Sequence, residues 1–124
     1  GAAKGHLGLG FETALGAVES RARSAAEIDA LVHRAATEGP LLPAEADPFF
    51  RVERVLLDGR TELAPGFAIM VVLAGRVSLS GTGMDAAIPL HQGSTALLPH
   101  AAGVVTAEGV AEVLVCRPPL PAHV

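Results

Sequence analysis

Residues 49–81 read FFRVERVLLDGRTELAPGFAIMVVLAGRVSLSG, and this stretch decides the fold. Short β-type runs at 49–57, 61–64, 67–73 and 76–80 are cut by Asp58-Gly59, Pro65-Gly66 and Ala74-Gly75. Each cut supplies a proline or a residue tolerant of positive φ. The rhythm continues with runs at 84–90, 95–98, 103–107 and 110–116, separated by Gly81-Thr82-Gly83, Gln92-Gly93, Pro99-His100 and Glu108-Gly109. Seven or eight short antiparallel strands of this kind predict a mainly β chain, a jelly-roll barrel or sandwich. The run FAIMVVL at 67–73 is apolar at every position. Its strand is therefore expected to be covered on both faces, the outer one by a further layer such as helices.

Upstream the periodicity is helical. Phe11, Ala14, Leu15 and Val18 fall at i, i+3, i+4 and i+7, an amphipathic stripe. Ser24 stands three residues before Glu27, the spacing of a capping box, and Ile28, Leu31, Val32 and Ala35 repeat the apolar spacing until Gly39 and Pro40. That predicts a second helix over about 25–38. Residues 40–48, PLLPAEADP, hold three prolines and two acidic residues and read as a linker. The chain thus divides into a helical segment at 1–39, a linker at 40–48 and a β lobe at 49–124.

Composition narrows the function classes. The 124 residues suffice for one domain, half of them are apolar, and with four Phe, two Met and neither Trp nor Tyr the core must be aliphatic. The net charge of −4 and the scattered basic residues exclude a phosphate-backbone footprint or a polybasic membrane patch. The apolar runs are too short to span a membrane, and a single cysteine, Cys116, forms no internal disulfide and reads as a packing residue. A soluble cytoplasmic chain is expected. Residues 63–124 carry only Arg76, Arg117, Asp85, Glu108 and Glu112 as charged side chains, so part of this half should lie against another surface.

The order "FFRVERVLLDG … LAPGFAIMVVLAGRVSLSG … IPLHQGSTALLP" resembles the cupin fold, in which a strand-ending glycine, here Gly75, and a later G-x5-P, here Gly93 to Pro99, mark two hairpin turns. Together with the opening GHLGLGFETAL at 5–15 and LLPAEADPFFRVERV at 41–55, the chain is similar to the C-terminal portion of zinc-dependent mannose-6-phosphate isomerases. The resemblance implies helices plus a degenerate cupin lobe behind an upstream catalytic cupin. It also implies that the intact protein interconverts mannose 6-phosphate and fructose 6-phosphate on one Zn²⁺.

The residues that carry metal in such cupins are replaced in this chain. The ligand glutamate aligns with Ala68, the H-x-H pair would fall where Gly66 and Phe67 adjoin, and the second-motif glycine and histidine become Ala101 and Val104. No metal is expected in this lobe, and zinc belongs to the family's intact enzyme. His91 and His100 read as solvated loop histidines, and His33 as a histidine on a helix surface. In relatives an arginine contacts substrate where this chain has His6; His6, as a catalytic or substrate-binding group, and Lys4, as a phosphate contact, are the candidates the resemblance leaves. The plainer reading of HLGLGF is a turn that docks Leu7, Leu9 and Phe11.

Two functions follow as expectations. One is a structural, metal-free lobe whose partner is the upstream catalytic cupin or a second copy of itself. The other is a free-standing non-catalytic cupin that binds a small ligand or mediates dimerisation.

Overall fold

Alternating burial along three long strands builds one antiparallel sheet that folds over an aliphatic core. The computed structural model describes residues 7–32 and 38–119. Helices α1 (Phe11–Leu15) and α2 (Ala25–Leu31) precede β1 (Gly39–Pro40), a 3₁₀ turn at Ala44–Ala46, β2 (Arg51–Leu63) and β3 (Ala68–Gly81). They are followed by β4 (Ile88–His91), β5 (Thr95–Leu98), a second 3₁₀ turn at His100–Ala102, and β6 (Val105–Arg117). The strand order is β1-β2-β6-β3-β4, with β5 also paired to β3.

The eight runs of the sequence correspond to segments of five strands. Asp58-Gly59, Ala74-Gly75 and Glu108-Gly109 do not end strands; β2, β3 and β6 run through them. Gly59 pairs with Gly109, and Gly75 pairs with Ala111. The glycines therefore mark a fold line across three strands, where the sheet bends without losing its ladder. In particular, Gly75 is not a hairpin turn. It lies next to a β-bulge at which Leu73 is the extra residue, between the pairs Val72↔Val113 and Ala74↔Glu112. The bulge resets parity: Ala68, Met70 and Val72 are buried before it, Val77 and Leu79 after it. The same face of β3 stays inside on both sides of the bend.

Gly93 also departs from the hairpin reading. β4 and β5 pair with the same side of β3, His91 opposite Arg76 and Thr95 opposite Val71. They are two parts of one line interrupted by residues 92–94. The interruption matches the bulge: Gly93 N donates to Val72 O at 2.9 Å, Val72 N to Ser94 O at 2.9 Å, and Gln92 N to Gly75 O at 3.1 Å. Pro99 ends β5 and starts the 3₁₀ turn.

Folding along this line brings both halves of the sheet onto one cluster, with Leu57, Met70, Val72, Leu79, Val113 and Val115 among its members. The 64–67 connection crosses between the halves, and the Arg117 guanidinium pins it by donating to Ala64 O at 2.8 Å.

No residue of either helix is buried. Leu15 is 63% exposed and Ile28 48%, so the apolar stripes predicted from spacing face solvent. α2 does carry the predicted capping box: Glu27 N donates to Ser24 Oγ at 3.2 Å and Ser24 N to Glu27 Oε2 at 2.8 Å. The second helix is described only to Leu31, and the rest of the 25–38 prediction, with His33, falls on residues 33–37 outside the described set. The Ser24 amide, then the Arg21 guanidinium, hold the Glu27 carboxyl below its ordinary 4.5. A depressed carboxyl contributes stability above its unfolded value and loses it as pH falls through the folded value. The Glu27 amide shift is therefore expected to stay constant down to about pH 5 and to move below 4.5 as the cap opens. A titration by NMR in which it moves only between pH 6 and 7 rejects the cap as its cause.

Candidate functional site

On the inner face of the folded sheet the buried side chains are all apolar, and the polar ones of the same parity, Arg51, Glu53, Thr61 and Arg117, stand half-buried around a concavity of about 360 Å³ at its edge. Among the described residues no polar or charged side chain is buried. Ala68, where the sequence resemblance puts the ligand glutamate, is 0% exposed and faces Leu98 across the ladder. Ala101 and Val104 are exposed on the 99–104 connection, on either side of buried Ala102. Zinc needs three or four nitrogen, oxygen or sulfur donors converging at about 2.0–2.3 Å. Among the described residues no group of three or more His, Cys, Asp or Glu could hold a metal. The residues present therefore do not fit the metal of a catalytic cupin.

The outer faces carry what remains. Past the bend, β3, β4 and β6 place Arg76, Ser78, His91 and Glu108 around a shallow depression of about 760 Å³. The register does this directly, since Arg76 pairs with His91 and Ser78 with Glu108. His91 Nδ1 lies 2.9 Å from Gln92 O and 3.4 Å from Ser94 Oγ. A donor at Nδ1 suits that carbonyl, which leaves Nε2 as an acceptor. The group combines a cation, an anion and an imidazole in an open setting, with no nucleophile paired to a base.

Before the bend the outer face is apolar. Phe67, Ile69 and Leu97 are exposed there, and Phe49, Phe50 and Cys116 join Phe67 and Ile69 around a concavity of about 400 Å³. The FAIMVVL strand is thus covered on its inner side only, because the described helices leave its outer side open; Ile69 is 37% exposed and Leu97 61%. On the same face Arg54 Nε donates to Glu112 Oε1 at 2.7 Å, a cross-strand ion pair that the sequence did not single out. Opposite charges on two strands, Arg54 on β2 and Glu112 on β6, were the available signal, and only the register, with Leu56 opposite Glu112 and Arg54 opposite Leu114, makes them diagonal neighbours.

Of the residues singled out by the sequence, Lys4 and His6 lie outside the described residues. His91 and His100 sit on separate elements, the end of β4 and the 3₁₀ turn after Pro99, and both are exposed. No metal group forms around either among the described residues. Cys116 is half-buried and stands opposite Ile69 and Val52. No helix among the described residues is long and apolar enough to cross a membrane.

No protein-family model matches the chain, and no curated protein matches it. Solved structures do. The mannose 6-phosphate isomerase of Bacillus subtilis is similar at 25% identity over 63% of this chain and 24% of that one, with a TM-score of 0.53. A phosphomannose isomerase variant from Salmonella typhimurium is similar at 18% identity over 88% of this chain and 27% of that one, with a TM-score of 0.65. A cupin-2 domain containing protein from Shewanella frigidimarina is similar at 12% identity over 77% of this chain and 93% of that one, with a TM-score of 0.52. The fold is cupin-like, mainly antiparallel β, and of the kind found in mannose-6-phosphate isomerases. The chain spans about a quarter of the length of the two isomerases.

Proposed function

We propose that this chain is a metal-free, non-catalytic cupin lobe of a mannose-6-phosphate isomerase-like protein, in the C-terminal position that the GHLGLGFETAL resemblance implies. One observation carries the reading: the buried interior is all apolar, and Ala68, where the resemblance puts the ligand glutamate, is fully buried within it. The similarity to a quarter of the Bacillus subtilis enzyme supports the assignment to that family. In such a protein the zinc and the mannose 6-phosphate/fructose 6-phosphate chemistry belong to an upstream catalytic cupin, and this lobe acts as structural support for it. Lys4 and His6 are the residues by which it would reach substrate.

The chain alone, supplied with Zn²⁺, is expected to convert no mannose 6-phosphate above the rate of a zinc blank. The same chain joined to a preceding metal-bearing cupin is expected to be active. Turnover by the isolated chain, read by a coupled fructose 6-phosphate assay, overturns the division of labour.

The match that covers 93% of the Shewanella frigidimarina protein favours a second reading, a free-standing small cupin. An open reading frame with no cupin upstream of this segment selects it.

A further inference from the structure

Arg51 and Arg117 are a cross-strand pair, two cations directly opposite one another on β2 and β6. Their Cβ atoms are then about 4.5–5.5 Å apart, a separation at which like charges repel. Among the described residues neither guanidinium has a carboxylate partner, although Arg54 on the same strand has Glu112. Each is held instead by a main-chain oxygen: Arg51 Nε donates to Pro118 O at 3.0 Å and Arg117 Nη2 to Ala64 O at 2.8 Å. These bonds orient both forks at the edge of the folded sheet, and each guanidinium keeps further N–H donors to offer.

The bend at Gly59 supplies the rest of the site. It folds β2 back on itself, so that Arg51, Glu53 and Val55 from one half of the strand and Thr61 and Leu63 from the other line one concavity of about 360 Å³. Its lining divides by chemistry. Leu63 and Val115 form a buried aliphatic floor, and the two guanidiniums, the Thr61 hydroxyl and the Glu53 carboxylate stand half-buried around it. Small-molecule pockets occupy roughly 300–1,000 Å³, and this one falls in that range.

We infer that this concavity binds a small hydroxylated monocarboxylate, with the ligand's carboxylate between the Arg51 and Arg117 guanidiniums. A planar fork on each side matches the two carboxylate oxygens, and the anion relieves the repulsion that the register imposes. Charge selects a monoanion. Glu53 and Glu62 line the concavity together with the two arginines, so the fixed charges cancel and a dianionic phosphate would meet two carboxylates. The Glu53 carboxylate accepts hydrogen bonds and the Thr61 hydroxyl accepts or donates them, which suits ligand hydroxyls, while the aliphatic floor takes the carbon chain. This goes beyond the functional reading above and needs neither zinc nor an upstream cupin.

The test titrates sodium gluconate into the full chain at constant ionic strength and follows it by NMR. The amides of Glu53 and Thr61 and the Arg51 Nε–H are expected to shift together and saturate, with a midpoint of about 1 mM. Glucose, which has the hydroxyls without the carboxylate, and inorganic phosphate as the dianion are each expected to bind roughly tenfold more weakly or worse. Arg51→Gln is expected to weaken gluconate by roughly tenfold or more. Its melting midpoint without ligand is expected to stay the same or rise, because one of two opposed cations is gone. Arg51→Lys keeps the charge without the fork and is expected to lie between in affinity; it decides the matter if the Gln variant does not fold. Shifts that never saturate, phosphate binding as tight as gluconate, or full affinity in either variant overturn the inference. So does a lower melting midpoint in Arg51→Gln, which makes the arginine a structural one.

Discussion

The Gly75→Ala chain is expected to lose a large part of its stability. A Cβ at this position would lie 2.1 Å from Val110 O and 2.8 Å from Ala111 Cα, both backbone atoms of the paired strand that cannot rotate away. The backbone there has φ +80, which costs an L-residue roughly 1–2 kcal/mol before any clash. Relief requires moving β6 off β3 at the bend, where the two halves of the core meet, so a total of about 4 kcal/mol or more is expected. Domains of this size are stable by only about 5–15 kcal/mol, and the thermal midpoint should fall by about 15 °C. Gly93→Ala separates strain from clash. Its φ is +84, yet nothing lies within 4 Å of the added carbon, so roughly 1–2 kcal/mol is expected. Equal midpoints for the two variants would falsify the close approach at the fold line.

The second large effect tests the interior. Ala68→Glu restores the residue type that a metal-binding cupin has at this place, but puts it at a site with 0% exposure and no buried polar neighbour among the described residues. A carboxylate there is taken out of water where no buried polar side chain among the described residues awaits it, so several kcal/mol are lost. Ala68→Gln is nearly the same in volume, and the Glu–Gln difference isolates the charge from overpacking. Burial raises the carboxyl's folded pKa above its unfolded value. The neutral form is then tolerated below the unfolded value, and stability is lost as pH rises through the folded one. The Glu variant should therefore be closer to the Gln variant at pH 4 than at pH 7. Zinc is expected to leave its melting midpoint unchanged, since one carboxylate without further donors does not make a site. A zinc-dependent rise above the unsubstituted chain would show that hidden donors converge on the core.

Much of the fold was legible in local chemistry. The apolar runs on either side of each glycine pair all appear as strand segments, except that the 84–90 run is reduced to β4, Ile88–His91. The Ser24–Glu27 capping box formed as spaced. The glycines are ambiguous in sequence because positive φ serves both a tight turn and a bend in a continuous strand. Gly59 and Gly109 become a cross-strand pair only once β2 and β6 are in register over thirteen residues. The candidate site was legible chiefly as replacement: alanine and valine at ligand positions can be read from the chain alone. The depression around Arg76 and His91 could not, because fifteen residues separate them and only the β3–β4 pairing joins them.

By itself the sequence determined the segments, the aliphatic composition of the core and the capping chemistry of α2, since each depends on residues within a few positions of one another. Tertiary structure alone decided which glycines bend rather than turn, how the bulge at Leu73 keeps Met70 and Leu79 on one face, and that the outer side of the FAIMVVL strand and the helical stripes both remain open. Those outcomes depend on register and on what packs over a surface. Pairing and burial are set by contacts between distant segments, and an apolar side chain carries no mark of whether its cover comes from its own chain.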